Sequence, residues 1–501
     1  VIRLPITPEQ AAQITTRLAD ELAGRHANIK ENLDYFKGDC GKLRFASDEF
    51  NEHFNKRFEG FADNWCKPVI VAPAERIKLK GIRLDGQGEA DADLKRVMQV
   101  NEYETGFSEA LVLTLAAKRS LALVWGNDDD PDTPEVTFEH PEQAIVAYEP
   151  GSRRRKYGLK MWSDADEGYD YATLYTPDEV WKFQKRASAK TIQLPSGVTF
   201  GGWEARFVAT DDTWPLKNPL GVVPLVELPN QSLLKPEPMS DLGGVKKMQD
   251  AINLAWAYLF NDLDFMSLPQ RMLLGGEIPE VPILDANGQD TGQRRKLDMK
   301  ELMAERILWV PSKPGSDVKS GEWTAAAGDS FLQVINQAVE HVAAQTRTPP
   351  HYLIAKMVNT AAEALTVAEA GLVSRTDERI TYITPGVREI FRLICLAQGD
   401  EGRADAVRSG TLLWGDIQYR SEAQRADALM KKRQMGYPLE YLLELDGVDP
   451  LDIPRIMEMV EREKKDAQLE EVTRALAMRD AMGEPQESDG EEDAAGDSDE
   501  R

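Results

Sequence analysis

Apolar residues recur at steps of three and four over residues 7–35, where Ala11, Ile14, Leu18 and Leu22 share one face, and this spacing predicts an opening helix. More helix is expected around residues 48–64. The β-branched run Val69-Ile70-Val71 and the sequence Ile77, Leu79, Gly81, Ile82 predict short strands between residues 68 and 84. Helical spacing returns over 94–115. Strand-like pieces then follow at 121–125, 135–138, 144–148, 157–162, 171–175 and 179–184, the first of them entering an Asp-rich turn. Residues 1–236 therefore read as an α+β region.

The period changes at Ser240. Ser240 and Asp241 suit a helix cap, and Val245, Met248, Ile252, Ala255, Leu259, Leu263 and Met266 recur at three and four until Pro269 stops them. Such a rod would be about 40 Å long. Residues 269–324 are rich in Gly and Pro, with β-like pieces such as 306–310. A second rod opens at Gly328-Asp329-Ser330, carries Phe331, Ile335, Ala338, Val342 and Gln345, and ends at Pro349-Pro350. A third helix starts near Thr360, where Thr360 and Glu363 match a capping box. It runs through Leu365, Ala368, Leu372 and Arg375 towards Pro385, which should break or kink it. Val387, Ile390, Phe391 and Ile394 then resume the period. Helices over 421–435, 439–445 and 453–479 complete a chain that is α+β and mostly helical. No internal repeat is visible.

Composition narrows the function. At 501 residues the chain is long for one domain, and its 42% of hydrophobic residues supports sizeable cores, which excludes wholesale disorder. The 60 Lys and Arg against 85 Asp and Glu leave a net charge of −25. That balance disfavours a protein gripping duplex DNA by its phosphates, while allowing one that lets DNA pass. Residues 484–501, strongly acidic and almost without apolar side chains, are expected to be disordered. No apolar run reaches the ~20 residues of a membrane span; the best, 111–125, is interrupted by Lys118 and Arg119. The start at Val1 fits a non-ATG codon or a trimmed chain, and residues 1–5 lack a secretory pattern. Cys40, Cys66 and Cys395 are odd in number and far apart, implying a reducing compartment and no disulfide framework.

Catalytic constellations are missing. Gly38, Gly41 and Lys42 are too closely spaced for a phosphate loop, and Gly86 and Gly88 lack the third glycine of a dinucleotide fingerprint. His26, His53, His140, His341 and His351 show no metal-ligand spacing. Asp128, Asp130, Asp132 and Glu139 imitate a calcium loop, but Thr133 stands where such loops need Gly, and Pro131 and Pro134 stiffen the backbone. A solvated turn is the better reading there, as surface charge is for Asp211-Asp212. No cofactor and no enzymatic activity are expected. Two basic clusters are exceptions in an acidic chain. Arg153-Arg154-Arg155-Lys156 reads as an exposed loop between strands. Arg294-Arg295-Lys296 falls at the far tip of the helical hairpin, where a partner or nucleic-acid contact is expected.

Several blocks, in order, carry a resemblance. They are Leu33-Asp34-Tyr35-Phe36-Lys37-Gly38; residues 64–77, including Asn64, Trp65, Cys66, Glu75 and Arg76; and His140-Pro141 with Gln143 and Tyr148. Residues 218–230 follow, from Asn218 and Pro219 to Pro229 and Asn230, leading into Met248-Gln249-Asp250-Ala251-Ile252-Asn253. The C-terminal half adds Arg347-Thr348-Pro349-Pro350-His351-Tyr352-Leu353, then Asn359 and Glu363-Ala364-Leu365, Trp414-Gly415-Asp416, residues 423–428 and Gly436-Tyr437-Pro438. In these blocks the sequence resembles the portal proteins of tailed bacteriophages, in the SPP1-portal-like group that includes relatives from phages of actinobacteria. The resemblance spans about residues 33–463 and departs from the family pattern in 269–324 and in the acidic tail.

The resemblance implies an architecture of wing, two-helix stem, clip and helical crown assembled as a ring. Residues 1–240 would form most of the wing, 241–268 and 328–347 the stem helices, and 269–327 the clip. A tunnel loop would occupy 348–359, the long wing helix and wing return 360–413, the crown 414–482 and a disordered tail 483–501. It also implies a homo-oligomer of typically twelve subunits at one capsid vertex of the virion, assembled in the host cytoplasm. Double-stranded DNA would pass without sequence recognition. The implied partners are the terminase large subunit, head-completion or adaptor proteins, and the major capsid and scaffold proteins, with no membrane. His351, Lys356 and Asn359 would face DNA in the tunnel loop, Lys356 above all. Each stem rod has only one hairpin partner in its chain, so Met248, Ile252, Leu259, Phe331, Ile335 and Val342 are expected to pack between subunits. Another phage head or connector protein would share the acidity and oligomerisation without needing paired rods; a cytosolic enzyme would need a catalytic constellation.

Overall fold

A computed structural model describes residues 6–39, 41–48, 52, 57–58, 60–186, 202–208, 213–234, 237–267, 271–275, 280–284, 289–296, 307–310, 312–313, 317–322, 328–353, 362–418 and 422–481. The chain forms two compact units, Val1–Tyr419 and Arg420–Arg501, and mixes helix with strand. Among the described residues no helix is long and apolar enough to cross a membrane.

The opening helix α1 (Pro8–Lys37) begins at a reciprocal cap: Thr7 Oγ1 accepts from the Gln10 amide, and Gln10 Oε1 accepts from the Thr7 amide. Gly38, at φ 86°, ends it in a conformation that glycine adopts without a Cβ clash. Its buried Ala11, Leu18 and Leu22 pack with Ile145, Leu159, Trp181 and Phe183 of a six-stranded antiparallel sheet. Burying one such leucine stabilises by about 2 kcal/mol.

Helix α2 (Cys66–Ala74) replaces the strand expected at Val69-Ile70-Val71. Asn64 Oδ1 accepts from the amides of Cys66 and Lys67, which starts the helix, and Val69 and Ile70 are fully buried. A short run apolar on every side carries no period, so side-chain capping and burial decide its form. Of the helix expected around 48–64, the described residues 48, 52, 57 and 58 are helical, whereas 61–65 have no regular structure. Strand β1 (Leu79–Arg83) follows as expected.

The helix expected over 94–115 is two, α3 (Ala92–Val100) and α4 (Tyr103–Ala117). Glu102 takes φ 49° between them. Asn101 Nδ2 donates to the Val97 and Pro134 carbonyls, and its Oδ1 accepts from the Val136 amide, which pins the break. Strands β2 (Arg119–Trp125) and β3 (Glu135–Glu139) then form a hairpin. The six-stranded sheet is built from β4 (Ala144–Tyr148), β5 (Arg155–Asp164), β6 (Tyr169–Tyr175), β7 (Glu179–Arg186), β8 (Glu204–Ala205) and β9 (Leu216–Lys217). Strand β10 (Leu225–Pro229) returns to pair with β2, giving a second sheet in the order β10-β2-β3.

Two rods then leave this body. Helix α5 (Lys246–Ser267) starts after a turn at 241–245, a few residues later than expected, and its 22 residues measure about 33 Å. Helix α6 (Asp329–Thr346) is the other rod. Between them lie β11 (Arg271–Leu274), β12 (Glu280–Leu284), β13 (Asp290–Lys296), β14 (Ile307–Val310) and β15 (Lys319–Glu322). They make a three-stranded sheet in the order β14-β11-β15 and a separate hairpin of β12 with β13. The rods run antiparallel: Gly244 lies beside Gln345 at one end, and Arg271 pairs with Glu322 at the other.

After the short helix α7 (Pro350–Leu353), helix α8 (Ala362–Ala397) crosses the main core. The capping box expected at Thr360 lies outside the described residues. Pro385 does not end α8, which runs on to Ala397. The next residue, Gly386, lets the helix sit directly on β10: a Cβ there would lie 2.6 Å from Leu228 and 2.9 Å from the Glu227 carbonyl. Helix α9 (Glu401–Ser409) and β16 (Thr411–Trp414), which pairs with β1, were not legible as separate elements. The second unit holds α10 (Glu422–Gln434), α11 (Leu439–Asp446) and α12 (Asp452–Ala481), with Arg425 bound to Asp446 at 2.8 Å.

Candidate functional site

The site that the fold builds most carefully is the base of the two rods. Asp241, in the turn before α5, is almost fully buried and meets Arg375 of α8 at 2.6 Å and Arg379 at 3.0 Å. Asn230 donates to the same carboxylate at 2.9 Å. Burial opposes the charge of Asp241, but the two guanidiniums outweigh it and hold the carboxyl below the usual carboxylate range. Arg375 also donates to the Thr346 carbonyl in the last turn of α6 and to the Val69 carbonyl of α2. One cation therefore ties both rods to the long helix and to α2, and it sits where a helix C-terminus favours positive charge.

The outer face of the base is held by other groups. Tyr35 of α1 donates its hydroxyl to Asp250 of α5, 2.8 Å from Oδ1 and 2.9 Å from Oδ2. Burial raises the Asp250 carboxyl, against the effect of the Tyr35 hydrogen bond. Lys246 binds Glu31 at 2.8 Å, and Lys246 and Arg44 both lie against the Tyr35 ring. A third group joins α5 to the segment before α2. Gln249 accepts from the Trp65 amide and donates to the Asp63 carbonyl and to Asn253. Trp65 and Trp256 both donate indole N–H to Asp63 Oδ2, at 3.0 and 2.8 Å. Gln249 and Asn253 are buried with their hydrogen bonds made, so this network fixes the angle at which α5 leaves the body. Three blocks that are distant in sequence, around Tyr35, Trp65 and Gln249, thus meet at one place.

The far end of the rods is different in kind. Arg294, Arg295 and Lys296 lie on β13 with every residue of that strand exposed, opposite Pro282, Val281 and Glu280 of β12. Strand alternation puts Arg294 and Lys296 on one face of the hairpin and Arg295 on the other. Such a surface offers donors for carboxylate or phosphate at the end remote from the clamp.

The rod residues expected to pack between subunits separate into two groups. Ile252, Leu259, Ile335 and Val342 are buried within the single chain, so they have no area left to offer a neighbour. The expectation that they are covered by other subunits underestimated the base of the hairpin, where α2 and α8 add to the core around Ile252, Ile335 and Val342. Met248 and Phe331 remain half-buried. Among the described side chains of the rods, the large apolar ones left exposed are Leu263, Leu332 and Val334.

Of the residues expected to face DNA, Lys356 and Asn359 lie outside the described residues. His351 belongs to α7, and its side chain lies outside them too. Its neighbour Tyr352 accepts from Arg76 at 2.7 Å, and Arg76 also binds Glu369 of α8. Among the described residues no cluster of His, Cys, Asp and Glu is arranged to hold a metal ion. Asp241 and its arginines were missed as a unit, because Asp241 next to Ser240 reads as a cap. The usable signal was Arg375, a charge standing on the apolar stripe of its helix three residues after Leu372.

Comparison with known proteins gives a consistent picture. The family described as phage portal protein, SPP1 Gp6-like, matches residues 16–470. The chain is 28% identical over 381 residues to the portal protein of Mycobacterium phage D29, covering 72% of this chain and 70% of that protein. It is 27% identical over 385 residues to the portal protein of Mycobacterium phage L5, with the same coverage.

Proposed function

This chain belongs to the SPP1 Gp6-like family of phage portal proteins, and from that premise we propose that copies of it form a ring, typically of twelve, around a channel at one capsid vertex. Double-stranded DNA is packaged and later ejected through this channel. The observation that carries the reading is the pair of antiparallel rods, clamped at one end to an α+β body and bearing an exposed basic β insertion at the other. Side by side in a ring, such hairpins make a wall, with their insertions at one rim.

In this reading residues 1–240 and 360–413 serve as wing, α5 and α6 as stem, 269–327 as clip and 414–482 as crown. The loop at 348–359, with His351, Lys356 and Asn359, lies towards the DNA, and the acidic tail follows the crown. Leu263, Leu332 and Val334, with the free parts of Met248 and Phe331, face the adjoining stem. The clip receives the terminase large subunit during packaging and an adaptor or head-completion protein afterwards. Major capsid and scaffold proteins meet the ring when the shell is initiated, and the assembly ends in the virion.

Charge supports transport rather than capture. A stem of about 33 Å surrounds about 20 phosphates, and a lysine for each would hold the duplex in place. A ring of twelve such chains would carry roughly 300 formal negative charges, which repel the duplex and keep it sliding.

Replacing Arg294, Arg295 and Lys296 together by alanine tests the clip. Rings should form as in the wild type, while terminase or adaptor capture and DNA packaging fall. Undiminished packaging by such rings would remove the clip cluster from the account.

A further inference from the structure

Two charged features have no part in the clamp or the clip, and they are opposite in sign. In the cluster Arg153-Arg154-Arg155-Lys156, Arg155 is bound by Glu389 and Lys156 lies over the Tyr157 ring. Arg153 and Arg154 are exposed and make no ion pair among the described residues. They edge an open groove of about 810 Å³ between β10 and α8, which also includes Val222, Pro229 and Gly386. Leu233 and Leu234 line the same groove. Leu234 is 90% exposed and held at φ 57°, a left-handed conformation unfavourable for a residue with a Cβ. An apolar pair presented in this way beside two unpaired cations has the composition of an interface.

The second feature is the loop between β2 and β3. Asp128, Asp129, Asp130 and Asp132 are exposed there, and none forms an ion pair among the described residues. The loop is held in shape from within. Asn127 Oδ1 accepts from the amides of Asp129 and Asp130, and the Thr133 amide donates to the Asp130 carbonyl. From the body, Arg96 and Gln398 both donate to the Asp132 carbonyl. The carboxylates are thus presented on a rigid turn.

The groove runs along β10 and the acidic turn leads into β3, the two opposite edges of the sheet β10-β2-β3. A ring closed by rotation needs two different, complementary surfaces on every subunit. In a chain of net charge −25, most random contacts would bring like charges together, so an unpaired basic rim is a selective acceptor. We propose that the acidic turn at 128–132 of one subunit docks on Arg153 and Arg154 of the next copy of this chain, and that Leu233 and Leu234 are covered at the same contact. The inference rests on the ring reading above and adds to it which surfaces meet.

The test is a charge swap read by mass photometry of the full chain. The wild type is measured first, so that absence of rings speaks against the ring reading and not against this contact. The variant R153E/R154E should lose most of its rings, and so should D128R/D129R/D130R. Both sets combined in one chain should recover at least half of the wild-type ring fraction. Wild-type ring levels in either one-sided variant overturn the contact. Loss in both without recovery also overturns it, as would follow if the groove received an acidic segment of another protein. Should a reversal prevent folding, R153Q/R154Q and D128N/D130N replace them in a salt titration. Each should then dissociate rings at lower salt than the wild type, and an unchanged midpoint overturns the contact equally.

Discussion

Asp241 shows what one buried charge does here. It is shared by Arg375, which also reaches the end of α6 and the backbone of α2, and by Arg379, which otherwise meets the more exposed Glu378, so its removal would leave buried positive charge poorly compensated. Asp241→Asn should destabilise the chain by about 3–5 kcal/mol in urea unfolding, whereas a loss below about 1 kcal/mol would mean that the cluster is not holding the rods. Its pH dependence has a definite sign. The folded carboxyl titrates below its unfolded value of about 3.9, so its contribution is complete above that pH and is lost as pH falls through the lower folded value. Asp250 acts in the opposite sense. Its folded carboxyl is raised, chiefly by burial, so protonation between the unfolded and folded values favours the folded state. Asp241→Asn should therefore flatten the acid limb of a stability profile, and Asp250→Asn should steepen it.

At the scale of elements, the crossing of α8 over β10 depends on a missing side chain. Gly386→Ala would place a Cβ against the Glu227 carbonyl, which cannot rotate away, and should cost about 1–3 kcal/mol of unfolding free energy. A neutral result would show that the helix and strand can separate freely. The rods make a different prediction. Leu332 and Val334 are exposed in the single chain, so L332K/V334E should change its unfolding by less than roughly 0.5 kcal/mol while reducing the ring population. Equal ring populations would place the stem contact elsewhere. Both rods were legible from periodicity because each has one wet side. Helix α2 was not, since Val69 and Ile70 are buried and no polar positions mark a turn. The break at Asn101 was also hidden, because it depends on Pro134 and Val136, more than thirty residues away.

For the whole molecule, sequence alone indicated an α+β body, two rods and a basic tip, since each follows from local pattern or local charge. It did not indicate how the rods are seated. Tyr35 with Asp250, Trp65 with Gln249, and Arg375 with Asp241 are pairings across 134 to 215 positions, and no local spacing announces them. These pairings bring together separated blocks around Tyr35, Trp65 and Gln249 and fix one angle between the rod α5 and the body. Repeated around a ring, that angle would set the bore. The most direct measurement is electron microscopy of the purified full chain. Ring-shaped averages with a central hole wide enough for a double helix, walled by paired helices, are expected. A folded single chain that persists at high concentration, or an assembly with no hole, would contradict the ring reading.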